Sequence, residues 1–137
     1  MTVVSVCLTC RLPHLRAEVK QAKAEAEVAG VAPPAFPTPC GEHLLAEVER
    51  AAAGVDGVSV RGVACLMGCS HGCNVAVSDP DKMTYVLGDF EPTADAAEAV
   101  VAFAAGHAGS DSGVVPFKAW PEGVKGRFKA RVPPIER

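Results

Sequence analysis

The strongest constraint in this chain is the run Val63-Ala64-Cys65-Leu66-Met67-Gly68-Cys69-Ser70-His71-Gly72-Cys73-Asn74-Val75-Ala76-Val77. Three cysteines recur at four-residue intervals, and Gly68 and Gly72 stand directly before the last two. Valine-rich segments on both sides read as strands, so the cysteines fall on a loop between them. Thiolates are soft ligands, and a glycine-bearing loop that presents several of them is suited to holding metal. A second source of thiols lies near the N-terminus, where the β-branched run Val3-Val4-Ser5-Val6 ends in Cys7-Leu8-Thr9-Cys10. The two stretches together predict one site at one end of a sheet.

Between them the chain alternates helical and extended patterns. His14 to Val28 has helical composition with a thin apolar face of Leu15, Val19, Ala22 and Ala26. Residues 30–39 hold four prolines and break the helix. Cys40 follows, just before the best amphipathic segment in the chain, Glu42 to Ala53, whose apolar face is Leu44, Leu45, Val48 and Ala52. A thiol at that helix start is favoured as thiolate by free N–H groups and the helix dipole. Val58 to Val63 alternates as a strand into the cysteine loop. Asn74 to Val77 and Met83 to Leu87 form a hairpin about the turn Ser78-Asp79-Pro80-Asp81. Thr93 or Asp95 caps a last helix to Ala105 with Ala96, Val100, Phe103 and Ala104 inward. The expected order is β, α, α, β, β, β, α.

Residues 109–137 form an irregular basic tail, with six Lys/Arg against two Glu from position 114 onward, on a chain whose net charge is −3. It is expected to wrap the domain as an extended arm held by Phe117, Trp120, Phe128 and Val132, or to order with a partner. The acidic balance and few aromatics argue against nucleic acid, and no apolar run is long enough for a membrane span. Nor does the start of the chain read as a secretory signal, so a cytoplasmic protein is expected, and its cysteines as thiols rather than a disulfide framework. No acid/base pair, nucleophile triad or phosphate-cradling loop is present, so no catalytic residue is assigned and an electron carrier is expected rather than an enzyme.

Cys65 and Cys69 can grip one metal from the loop while Cys7, with Cys10 or Cys40, grips a second; Gly68 and Gly72 would aim N–H groups at cluster sulfurs. His71 reads as an exposed loop residue, and Cys73 as a buried thiol or an exchanging ligand. Three functions use such a set: an electron carrier with a [2Fe-2S] cluster, a Cys7-x-x-Cys10 thiol-disulfide oxidoreductase, and a zinc or cobalt binding protein. Four thiolates alone do not separate iron-sulfur from zinc.

At these residues the chain resembles the thioredoxin-like [2Fe-2S] ferredoxins and the related small subunit of NADH dehydrogenase complexes. The likeness rests on a strand ending in a first cysteine, Cys65-x-x-x-Cys69, an apolar strand, a turn, Tyr85-x-x-Gly88 and a last helix. It implies an α/β thioredoxin-like core with a mixed sheet over residues 1–108, and a [2Fe-2S] cluster near the surface for electron transfer. The chain resembles more closely DUF1636, a bacterial family described as predicted metal-binding proteins. That resemblance is carried by Val6-Cys7-x-x-Cys10-Arg11, Cys65-Leu66-x-x-Cys69-x-x-x-Cys73-x-Val75-Ala76, Thr84-Tyr85-x-x-Gly88-Asp89 and Ala130-Arg131-Val132-Pro133-Pro134. It implies a redox partner in corrinoid or cobalt metabolism. Apart from that resemblance, a second copy of the chain is a further candidate partner. Cys7, Cys65 and Cys69 match the ferredoxin pattern by position. For the fourth ligand the close family favours Cys10 and helix geometry favours Cys40, with the lean to Cys40, so that Cys40→Ser is expected to be the more damaging change.

Overall fold

Thr2–Cys7 (β1) lies inside a five-stranded sheet of order β2-β1-β3-β4-β5. The computed structural model describes residues 1–135. The other strands are Val58–Val63 (β2), Val75–Ser78 (β3), Thr84–Leu87 (β4) and Phe128–Val132 (β5). β1 pairs parallel with β2, and every other neighbouring pair is antiparallel. The helices are Pro13–Ala29 (α1), Cys40–Ala52 (α2) and Ala94–Ala108 (α3). The class is therefore α/β with a mixed sheet, as the alternating patterns predict.

Register explains the core. Val4 faces Val77 and Val6 faces Val75, and these face Tyr85 and Leu87 in turn, so one row of alternate residues lies on one side of the sheet. All six are buried and meet Leu44 and Val48 of α2 and Val100, Phe103 and Ala104 of α3. Thr93, not Asp95, caps α3, its hydroxyl accepting from the Ala96 N–H at 3.2 Å. The first helix keeps only Ala26 fully buried and ends at Gly30, whose φ of +70° gives the left-handed stop. Among the described residues no helix is long and apolar enough to cross a membrane.

The tail is less irregular than its composition suggests. β5 adds to the edge of β4, with a register shift between Val86 and Leu87. Phe128 packs 5.5 Å from Tyr85, 5.2 Å from Phe103 and 4.4 Å from Trp120, ring centre to ring centre. Of the four expected anchors, Trp120 and Phe128 pack against the core, whereas Phe117 and Val132 are exposed, and Val115 and Val124 are buried in their place.

His107, near the end of α3, is fully buried. Its Nε2–H donates to the Met83 carbonyl at 2.6 Å and its Nδ1 accepts from the Thr2 hydroxyl at 2.8 Å, since the carbonyl can only accept. Burial, aided by the nearby Lys82 ammonium, holds its pKa below the ordinary value despite the Met83 bond. The unfolded chain takes up a proton near pH ~6.5 while the folded chain resists it, so stability is full above that pH and falls as pH drops through it. The slope contributed by one such group approaches ~1.4 kcal/mol per pH unit. Urea midpoints at pH 7.5 and 5.5 should show this loss, and His107→Gln should flatten it; equal slopes in the two proteins would refute the assignment.

Candidate metal centre

All six cysteines are free thiols. The ends of β1 and β2, the start of β3 and the start of α2 bring them to one end of the sheet. Cys7 closes β1 opposite Val63 of β2, and Leu8 N–H donates to the Val63 carbonyl at 2.8 Å. The cysteine loop therefore leaves β2 beside Cys7. α2 arrives from the other side: Gly41 N–H donates to the Cys10 carbonyl at 3.0 Å, and a Cβ on Gly41 would lie 1.9 Å from the Cys7 carbonyl oxygen. Only a residue without a side chain lets this helix start, with Cys40 as its first residue, touch the end of β1.

The thiols divide by depth. Cys7, Cys10, Cys40 and Cys73 are buried, and Cys65 and Cys69 are exposed. Cys73, preceded by a cis Gly72–Cys73 peptide, is hydrogen bonded to the Cys40 thiol. Burial first, then the neighbouring thiols of Cys40, Cys10 and Cys7, push it up to about 12. Burial and the adjacent Cys7 likewise push Cys10 up to about 11, against a hydrogen bond from Asn74. Cys7 goes the other way. Burial raises it, but hydrogen bonds from the Cys10 thiol and the Leu66 N–H outweigh burial and bring it below its ordinary value. The Thr9 N–H adds to the lowering, while the Thr9 hydroxyl, 3.9 Å from the Cys7 sulfur, also donates to the Ala64 carbonyl at 2.7 Å.

Three sulfurs thus accept N–H hydrogen bonds. Leu66 N–H reaches Cys7, Met67 N–H reaches Cys65 Sγ at 3.2 Å, and Asn74 Nδ2 reaches Cys10 Sγ at 3.2 Å. Such donors stabilise negative charge on sulfur. Cys69 and Cys10 line a common cleft of about 90 Å³ with Thr9, Arg11 and Arg16. The exposed loop therefore meets the buried pair at two places: Leu66, next to Cys65, donates to Cys7, and Cys69 shares the cleft of Cys10. Cys73, bonded to Cys40, also lies within electrostatic reach of Cys10 and Cys7, so the four buried thiols form one group.

Packing gives Gly68 and Gly72 a role of their own. A Cβ on Gly68 would lie 2.6 Å from Asn74 Oδ1, and one on Gly72 would lie 2.4 Å from the Arg11 carbonyl oxygen. Both make room for close packing, at φ −104° and φ −63°, where other residues are equally at ease. Asn74 is the residue the sequence reading passed over. It is 1% exposed, and its amide ties Cys10 to the Gly68 carbonyl, 2.7 Å away, so one buried side chain fixes the loop to the Cys-x-x-Cys. A single polar residue between a cysteine and a buried valine run is the signal that would have found it.

Asp89 ties the loop to the tail. Its backbone is left-handed, φ +63°; its N–H donates to the His71 carbonyl at 2.7 Å and its carboxylate meets His71 Nδ1 at 3.3 Å and the Lys129 ammonium. Lys129 and His71 hold that carboxyl below the usual carboxylate range against a smaller effect of burial. Arg127 donates to the Asp89 carbonyl and lies over the Phe90 ring.

The donor chemistry fits a soft metal or cluster: clustered thiols, N–H groups directed at sulfur, and buried thiols whose charge a cation would offset. Among the described residues no group of three or more His, Cys, Asp and Glu side chains is arranged to hold a single metal ion. A two-iron cluster spreads four thiolates over two metals and so asks for two pairs.

Compared with known protein families, residues 4–134 match DUF1636, described as a protein of unknown function. No curated protein matches, and no solved structure matches.

Proposed function

We propose, starting from the chain's place in the DUF1636 family, to which it belongs, that it is a small electron-transfer protein carrying a [2Fe-2S] cluster on a thioredoxin-like core. The observation that supports this reading is the approach of the cysteine loop to the buried Cys7 and Cys10 thiols at the rim of the sheet, where the Leu66 N–H reaches Cys7 and Cys69 lines the cleft of Cys10. Cys7, Cys10, Cys65 and Cys69 would hold the cluster, which when bound supplies one-electron redox chemistry. The Leu66, Met67 and Asn74 N–H groups lie on three of the four sulfurs and would temper their charge. Cys65 and Cys69, being exposed, give the site its contact with the surface, while Cys7 and Cys10 anchor it in the core. The strand order β2-β1-β3-β4, with only β1 and β2 parallel, supports the thioredoxin-like reading.

Cys10 is preferred here to Cys40 as fourth ligand because Cys10 shares a cleft with Cys69, whereas Cys40 is engaged with Cys73. A single zinc ion held by four thiolates is the alternative occupant of the same cysteines. The lowered Cys7 beside a raised Cys10 also suits a dithiol reductase. Against that second reading, Cys7 is 2% and Cys10 4% exposed, so neither sulfur is open to attack on a protein disulfide.

Freshly purified protein should be brown, with broad visible absorption that dithionite bleaches, and should contain two irons and two sulfides per chain. Colourless protein with stoichiometric zinc would sink the cluster. Full disulfide reductase turnover in a Cys65→Ser/Cys69→Ser variant would favour the dithiol enzyme instead.

A further inference from the structure

Within the cysteine site we infer that Asn74 is a positioning residue that sets the reduction potential: its buried carboxamide ties the cysteine loop to Cys10 and donates to the Cys10 sulfur. The inference deepens, and rests on, the electron-transfer reading. Asn74 meets the Cys7-x-x-Cys10 segment with main chain and side chain alike. Its carbonyl accepts from the Cys7 N–H at 3.1 Å. Its main-chain N–H and its Nδ2 both reach the Cys10 sulfur, the second at 3.2 Å. The other Nδ2 hydrogen goes to the Gly68 carbonyl at 2.7 Å, so both amide hydrogens are committed, one to Cys10 and one to the loop. At 1% exposed, such an amide costs stability unless bonds of this kind offset its desolvation.

The amide has a fitted seat. A Cβ on Gly68 would lie 2.6 Å from Asn74 Oδ1 and 2.8 Å from Nδ2, and one on Gly88, just beyond β4, would lie 2.7 Å from Oδ1. Gly88 is itself fixed, because its N–H donates to the Arg127 carbonyl at 2.8 Å. Two glycines from separate segments thus leave room for one side chain. The Leu66 and Met67 donors belong to the main chain and persist through ordinary substitutions, whereas the Asn74 side-chain donor can be removed by one. An N–H aimed at sulfur stabilises the more negative state, and a bound cluster that gains an electron places more charge on its sulfurs. Away from water that preference is not screened, so the donor raises the potential. The electron comes from dithionite in the test below, and no bond is made or broken in the protein.

The test is a dithionite titration of the brown full-length protein, followed by electron paramagnetic resonance. Asn74→Leu keeps the side chain's branching without its donors. Its reduced-to-oxidised ratio at a fixed potential should fall about tenfold, which for one electron is about 59 mV toward the negative. Gly88→Ala keeps the amide but crowds its oxygen, and should shift the potential the same way by less; it carries the test if the leucine variant does not fold. In reduced, metal-free protein, amide hydrogen exchange over residues 67–71 should quicken about tenfold in Asn74→Leu while β1 keeps its rates. An unmoved potential overturns the donor role, and unmoved loop exchange, or equal quickening in β1, overturns the positioning role. The two readings fail separately: colourless native protein refutes electron transfer while the exchange experiment still decides whether Asn74 positions the loop, and brown variants of unchanged potential refute this inference alone.

Discussion

Alanine at position 41 should destabilise the protein by about 3–4 kcal/mol and lower its melting temperature by roughly 10 °C or more. The cause is local and specific. A Cβ there would sit 1.9 Å from the Cys7 carbonyl oxygen and 3.2 Å from the Leu8 carbonyl carbon, and both are backbone atoms that no rotamer change can move aside. Either α2 lifts from the end of β1, breaking the Gly41 to Cys10 hydrogen bond, or β1 is displaced from its place between β2 and β3. The control is Gly109→Ala, where the nearest atoms are 3.6 Å from the new carbon and φ is −80°, so little change is expected. Calorimetric melting of both variants in metal-free, reduced protein isolates packing from ligand binding. Matching melting points for the two would refute the close approach. A second readout follows from position, since Cys40 rides on the same first turn: its alkylation rate should rise in the Gly41 variant even below the melting transition.

The second large effect concerns the ligand set. Cys10→Ser and Cys69→Ser should each abolish most of the visible absorption, because each removes one member of the pair that shares the cleft. Cys40→Ser and Cys73→Ser should retain the colour and change stability by a modest amount, since serine keeps a hydrogen-bonding group between two buried residues. This reverses the order expected from helix geometry alone. Iron and sulfide content, read beside a circular dichroism spectrum, checks it: folded, colourless Cys40→Ser protein beside brown Cys10→Ser protein would reinstate Cys40.

The choice between Cys10 and Cys40 marks how far a sequence can be read. Seven elements were legible because their patterns are local: the valine run of β1, the stripe of α2, the cap at Thr93. β5 was not, although Phe128-Lys129-Ala130-Arg131-Val132 does alternate. Its apolar side carries one large residue, and that residue is paid for by Tyr85, Phe103 and Trp120, partners scattered through the chain. The cysteines were legible as a set, but not their sorting by depth. That sorting depends on where β1 ends against Val63 and on how closely α2 can approach, which is set by one glycine. Asn74 carries no motif; its importance comes from two hydrogen bonds made across the loop.

The bond between Asp89 and Lys129 has a consequence in time. Lys129 belongs to the strand that is last in chain order, whereas His71 and the cysteines it helps to fix are made much earlier. During synthesis the thiol-bearing loop therefore emerges with its neighbours on β1 already available but without the strap that steadies it. A chain cut before Phe128 should therefore keep the cysteine loop and β1 but lose the Lys129 contact that steadies Asp89 and, through it, His71.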